Sequence, residues 1–223
     1  MHQVTNISYG EGSVNIVLDS SSQMEVTAPE FRFGDYSSVV TSCFTQKELE
    51  RISEGENALL TFYFVVSDEV DDEQLLAQYS EAIEKNEEQI GRLTEGIYLD
   101  VKASKTISDD KENSLVTLSS DVDVQMDIPL YLIGEGRSYF FLSSNMGNCE
   151  LIEDASPDAD VLTISTDIMC PGVVLYQDIG ESLVERDDKV FRIKTTHLAI
   201  IGIAALVILW AVLDRLHKNS KRW

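Results

Sequence analysis

The chain is poor in the residues from which metal and nucleophilic sites are built. It contains only three cysteines and three histidines in 223 residues. No Cys-x-x-Cys pair or Cys/His cluster is present, and His2, His197 and His217 lie outside the expected domain core, which argues against zinc, haem and Ser-His-Asp chemistry. A Gly-x-Ser-x-Gly turn and a phosphate-binding Gly-rich loop are also missing. We therefore predict no cofactor and no enzymatic activity.

The cysteines are too few for a disulfide scaffold in a chain of this size. Cys149 and Cys170 fall on strands that we expect to be near neighbours. The sequence alone therefore leaves a bridge between these two residues open.

Basic residues are scarce, since 17 Lys and Arg face 39 Asp and Glu, for a net charge of −22. Only one of the acids but four of the basic residues follow residue 194, so the acidity belongs to the preceding body. An acidic body lacks the basic footprint that nucleic acid requires. It also repels anionic lipid head groups, so we expect it to stand clear of a bilayer surface.

The first twenty residues have neither a basic region nor an apolar core, and so do not form a signal peptide. An apolar run near the other end, from Leu198 to Leu213, contains no charged residue. With its flanks it gives a span of residues 195–216, long enough for a helix to cross a bilayer. The residues predicted to anchor the chain are Leu198, Ile200, Ile201, Ile203, Leu206, Val207, Ile208, Leu209, Trp210, Val212 and Leu213.

Charges beside this span bear on its orientation. Four basic residues follow it, namely Arg215, Lys218, Lys221 and Arg222, and four precede it, namely Arg186, Lys189, Arg192 and Lys194. The near balance gives only a weak bias toward a cytoplasmic C-terminus. Two topologies follow: a tail-anchored chain with a cytosolic body, or the end of a longer exported protein with the body outside.

The sequence of the body predicts mainly short strands separated by turns that contain Asn, Gly, Asp and Pro. Two amphipathic helices interrupt them, a short one after a capping box at Thr45 and Glu48 and a long one over residues 71–90. Long strands are expected over residues 59–67, 97–107 and 114–128. The predicted class is mainly β with helices (α+β), as an antiparallel Ig-like β-sandwich followed by a single C-terminal transmembrane helix.

Five segments divide the chain. Residues 1–28 are expected to close a preceding β repeat or to supply N-terminal strands, and residues 29–178 form the sandwich. A charged linker covers 179–194, the membrane helix 195–216, and a basic cytoplasmic tail 217–223.

Several short strand and turn segments resemble those of a β-rich module near the C-termini of large surface proteins of gut Firmicutes, of the Lachnospiraceae kind. They are Gly96–Ala103, Ile128-Pro129, Arg137–Phe141, the turn Asn145–Asn148, Leu162–Asp167 and Val173–Asp178. The chain departs from that pattern at 169–173, where Met-Cys-Pro-Gly-Val replaces Phe-Ser-Thr-Tyr-Ala. The resemblance implies an extracytoplasmic body at the end of a longer, multi-domain protein.

Two kinds of side chain remain as candidate binding residues. Acids cluster at 68–73, at Asp109, Asp110 and Glu112, and at Asp154, Asp158 and Asp160. Their loop positions are ordinary for solvated or capping acids, although calcium binding by them stays open because carboxylates are its preferred ligands. Aromatic residues at 62–64 and 139–141 lie within strands, where core packing is favoured over a sugar-stacking platform.

These observations predict a non-enzymatic, membrane-anchored surface module, the spacer and anchor of a larger bacterial surface or adhesin-like protein. Its one predicted partner is the lipid bilayer, and an extracellular protein or glycan partner remains open. The alternatives are a ligand- or calcium-binding ectodomain, or the membrane-proximal end of a surface hydrolase whose catalytic domain lies upstream.

Overall fold

A computed structural model describes residues 1–24 and 28–178 of the chain. The predicted linker, membrane helix and basic tail, with the anchoring residues 198–213 and the four tail cations, lie outside these residues. Among the described residues no helix combines the length and the apolar composition needed to cross a membrane.

The described body is mostly β with three helices, which confirms the predicted α+β class. Its strands are β1 His2–Tyr9, β2 Gly12–Ser22, β3 Phe31–Phe33, β4 Asn57–Ser67, β5 Thr94–Ile107, β6 Asn113–Leu115, β7 Thr117–Asp127, β8 Arg137–Asn145, β9 Asn148–Glu153, β10 Val161–Ile168 and β11 Gly172–Asp178. Its helices are α1 Tyr36–Cys43, α2 Gln46–Ser53 and α3 Glu73–Ile90, with a short 3₁₀ turn at Leu130–Leu132.

The strands form two sheets of unequal size. The larger runs in the order β1-β2-β4-β5-β11-β8-β9, with β6 added beside β5, and the smaller runs β10-β7-β3. The described strands pair antiparallel, as predicted, except for β2 and β4, which are parallel from Ser13↔Asn57 to Ser22↔Val66. A parallel neighbour requires a crossover, and the segment that carries α1 and α2 supplies it.

The first two strands belong to the same compact unit as the rest of the body, which extends from Met1 to Asp178. They form a hairpin whose two-residue turn uses Gly10 at φ 64°. Strand β2 continues unbroken through residues 19–22, where it pairs with β4.

The two sheets pack face to face through aromatic side chains. Phe31 of the small sheet stacks on Phe64 of the large sheet with ring centroids 4.1 Å apart, and Phe33 meets Phe62 edge-on at 4.7 Å. All four rings are buried. Such contacts between large apolar groups make this interface the principal core of the body.

The long helix covers the opposite face of the large sheet. Tyr79 and Ile83 of α3 are buried against a second core cluster that includes Leu142, Val173 and Leu175. Asp72 caps the helix by accepting hydrogen bonds from the N–H groups of Gln74 and Leu75. The predicted amphipathic helix over 71–90 is therefore confirmed, and so is the capping box that starts α2.

Two local predictions differ from the structure. Helix α1, capped by Asp35, was not expected. The single strand predicted over 114–128 divides at Val116, because Leu115 pairs with Ala103 in the large sheet whereas β7 pairs with β10 in the small one.

Candidate functional site

Strand β11 is the last described element before residues 179–223, and it lies inside the large sheet. It pairs with β5 on one side and with β8 on the other, antiparallel in both cases. The seven pairs with β8 run without interruption from Gly172↔Ser143 to Asp178↔Arg137. The body is therefore connected to the rest of the chain through an interior strand and not through an edge strand.

Arg137 fixes the end of this strand. Its Nε and Nη2 atoms donate to the two carboxylate oxygens of Asp178 at 2.8 and 3.0 Å. The guanidinium also lies over the ring of Tyr176, with Cζ 3.8 Å from the ring centroid. The hydrogen bonds to Asp178 raise the pKa of Arg137, and they hold the pKa of the Asp178 carboxyl below its ordinary value.

The same arginine holds the 3₁₀ turn. Its Nη1 atom donates to the carbonyl oxygen of Leu132 at 2.6 Å, and the hydroxyl of Tyr139 donates to the same oxygen at 2.8 Å. Leu132 is buried, whereas Leu130 and Tyr131 are 88% and 54% exposed. The two donors thus keep in place a turn that presents two large apolar side chains to solvent.

A groove of about 700 Å³ lies beside this turn, and we call it the 3₁₀ groove. It is lined by Pro29, Glu30, Arg32, Asp127, Ile128, Pro129, Leu130, Tyr131, Ile133, Asp160 and Val161. Arg32 donates to Asp127 at 2.5 Å on one wall. An apolar groove with an ion pair at its rim is suited to binding, since the apolar surface supplies affinity and the polar groups supply orientation.

This groove was not among the predicted binding features. The apolar residues that follow Pro129, at positions 130–133, were the feature that could have revealed it, because a strand-ending proline followed by four apolar residues is unusual for a surface turn.

The predicted acid clusters are not brought together. Asp72 caps α3, Asp110 accepts a hydrogen bond from Arg51 at 2.8 Å, and Asp154 accepts from the N–H groups of Ser156 and Thr163. Burial raises the pKa of the Asp154 carboxyl, while its two N–H donors act against the shift. In residues 1–24 and 28–178, no group of three or more His, Cys, Asp or Glu side chains is arranged to hold a metal ion.

The aromatic residues on the strands serve mostly as core. Phe62 and Phe64 are buried on the face toward the small sheet, and Tyr63 between them is 44% exposed on the other face. The three residues at 139–141 are all buried. Of these six side chains only Tyr63 is available to a ligand, so they form no stacking platform.

All three cysteines are free thiols. Strand β8 lies between the strand that carries Cys149 and the strand that follows Cys170. Two strand spacings come to about 9.6 Å, more than the roughly 7 Å that a disulfide spans between Cα atoms. Burial raises the pKa of the Cys43 thiol to about 12, which keeps that residue unreactive.

Comparison of the chain with protein-family models, with curated proteins and with solved structures found no match.

Proposed function

We propose that the chain is a non-enzymatic, membrane-anchored surface module in which residues 195–216 cross the bilayer and the body acts as a spacer. The charge-free run from Leu198 to Leu213 is the sequence feature behind this proposal. The resemblance of residues 29–178 to surface modules of gut Firmicutes supports a body on the outer side of the cell membrane and a cytoplasmic C-terminus.

The observation that carries the spacer role is the interior position of β11. A pull transmitted from an anchor through residues 179–194 acts first on this strand, whose residues 172–178 all pair with β8 and whose residues 172–176 also pair with β5. Its last residue is held by Arg137 through two charged hydrogen bonds. The pull therefore meets the Arg137 bonds and the pairs with β8 first, and full separation of β11 also requires breaking the pairs of residues 172–176 with β5.

The net charge of the body fits the same role. An excess of acidic side chains keeps the body away from the anionic surface of a membrane. The linker, rather than the body surface, then sets the distance between the module and the bilayer.

Membrane extraction tests the anchoring. A charged residue at the centre of a membrane helix costs about 3 kcal/mol, so Leu206→Arg combined with Ile203→Arg should move much of the protein from the carbonate-resistant membrane fraction to the soluble fraction. Ser182→Arg combined with Val184→Arg, both before the apolar run, is the matched control and should leave the distribution unchanged. Equal distributions for the two variants would show that the apolar run is not the anchor.

A second function, the binding of an apolar ligand, is favoured by the exposed Leu130 and Tyr131 in the 3₁₀ groove. An environment-sensitive apolar dye should bind there, and Tyr131→Asp should weaken the fluorescence response. Met146→Asp is the control, since Met146 is 95% exposed and lies away from the groove. A response lowered equally by both changes would mean that the dye does not distinguish the groove from other exposed apolar surface.

A further inference from the structure

Strand β1 is the terminal strand of the large sheet, and it lacks the devices that usually protect such an edge. Its residues, His-Gln-Val-Thr-Asn-Ile-Ser-Tyr, include no Asp, Glu, Lys, Arg, Pro or Gly. Its pairing with β2 runs from His2↔Asp19 to Tyr9↔Gly12 without a bulge. Natural edge strands are commonly blocked by charges, prolines or bulges, because an open edge is a template for another strand.

The other terminal strand of this sheet differs in this respect. Strand β9 is shorter and carries Glu150 and Glu153. In a chain in which a quarter of the residues are charged, eight consecutive residues without Asp, Glu, Lys or Arg are notable at the position where charges would be most protective.

The backbone groups that face the open edge follow from the pairing of the hairpin. The N–H of Ser20 donates to the carbonyl of Met1, and the amino group of Met1 donates to the carbonyl of Ser20. Residue 1 therefore belongs to a hydrogen-bonded pair, and by the alternation of an antiparallel ladder so do residues 3, 5, 7 and 9. The N–H and C=O groups of His2, Val4, Asn6 and Ser8 point away from β2, and no described strand pairs with them.

We propose that β1 is a dimerisation edge that pairs with β1 of a second copy of this chain in antiparallel register. The register that pairs all four outward-facing residues sets His2 opposite Ser8 of the second copy and Val4 opposite Asn6. Thr5 then lies opposite its own counterpart on the two-fold axis. This register satisfies four N–H and four C=O groups on each copy, and the two large sheets become one.

Self-pairing is favoured over a foreign strand because the edge is self-complementary. In the proposed register no charged side chain lies opposite a like charge. Between two acidic bodies, most other contacts would bring negative charges together. The acids that flank the edge lie at its ends: Asp19 beside His2, Glu30 beside Gln3, and Glu11 in the turn. Their mutual repulsion is screened by salt, so the dimer should tighten as salt rises from about 0.05 M to about 0.5 M.

Cysteine cross-linking of the full chain in detergent micelles tests the register. In this arrangement the Thr5 residues of the two copies form a non-hydrogen-bonded pair. Their Cα atoms are about 4.5 Å apart, which is within the range of a disulfide. Thr5→Cys should therefore form a covalent dimer on mild oxidation. Ser8→Cys, on the same strand, should not, since the two Ser8 residues are about 20 Å apart. Wild-type chain carried through the same oxidation gives the background from the native thiols.

A second variant tests the backbone groups themselves. Val4→Pro removes an outward N–H without touching the ladder between β1 and β2, a position at which an edge strand tolerates proline. Sedimentation equilibrium should show dimers of the wild type and at least a tenfold larger dissociation constant for Val4→Pro, while the two melting temperatures agree at concentrations low enough for both to be monomeric. Cross-linking of Ser8→Cys as fast as Thr5→Cys would overturn the proposal. A wild-type chain that remains monomeric at high salt would also overturn it. So would a dimer whose dissociation constant is the same for the wild type and for Val4→Pro.

Discussion

Arg137, the first residue of β8, donates two parallel hydrogen bonds of 2.8 and 3.0 Å to the carboxylate of Asp178, the last residue of β11. They are also the final pair in the register of these strands. The bond therefore closes the ladder at the point where the described body ends, and Arg137 additionally reaches the carbonyl of Leu132. One side chain thus holds both the exit strand and the 3₁₀ turn.

Removing this arginine should destabilise the body. Arg137→Ala loses three hydrogen bonds and leaves the Asp178 carboxylate, which is partly exposed, without its partner. We expect the free energy of unfolding to fall by about 1–3 kcal/mol in a denaturant titration. Lys102→Ala breaks an exposed ion pair with Asp100 and should cost about 0–0.5 kcal/mol. Similar losses for the two variants would contradict the role given to Arg137.

The same pair predicts how stability depends on pH. The pKa of Asp178 is lowered in the folded state, so the pair's contribution is fully present above the ordinary carboxyl pKa of about 3.9 and is lost as the pH falls through the lowered value. The difference in unfolding free energy between wild type and Arg137→Ala should therefore be constant near neutral pH and shrink in acid. A difference that widens in acid would contradict the direction of the shift.

Packing between the sheets gives a third prediction, from two neighbouring residues on β4. Phe64 is buried against Phe31, so Phe64→Ala should cost about 3–5 kcal/mol through the lost burial and the cavity left behind. Tyr63 is 44% exposed on the other face, and Tyr63→Ala should cost roughly 1 kcal/mol or less. Thermal melts of both variants compare the two losses of stability. If the register of β4 were shifted by one residue, Tyr63→Ala would be the more costly change.

The cap of α3 offers a test with an adjacent control. Asp72 accepts from two N–H groups of the first turn, and Asp72→Ala should lower the free energy of unfolding by about 1 kcal/mol. Asp71, one residue earlier, precedes the cap, and Asp71→Ala should change stability by less than about 0.5 kcal/mol. Equal effects would mean that local negative charge, and not the cap, stabilises the helix.

Some elements were predictable because their determinants are local. The spacing of Tyr79 and Ile83 and the cap at Asp72 mark α3 in the sequence alone. Helix α1 was missed because Val39, Val40 and Thr41 favour strands, and its helical state depends on burial against the core and on the cap at Asp35.

The pairing of distant strands was not predictable from periodicity. The change of sheet at Val116 and the parallel pair of β2 with β4 are set by tertiary packing, because a strand's alternation is the same whichever neighbour it meets. The 3₁₀ groove was missed for a similar reason, since its walls come from segments about 100 residues apart in the chain, around Arg32 and Asp127.

The most direct test of the membrane-anchored surface module is the labelling of single cysteines in intact cells with a reagent that does not cross membranes. Met146 is 95% exposed on the body, and Ser220 belongs to the predicted cytoplasmic tail. We predict that Met146→Cys is labelled in intact cells, above the background of the wild-type thiols, and that Ser220→Cys is labelled only after permeabilisation. Labelling of Met146→Cys only after permeabilisation would place the body in the cytosol and contradict the proposed function.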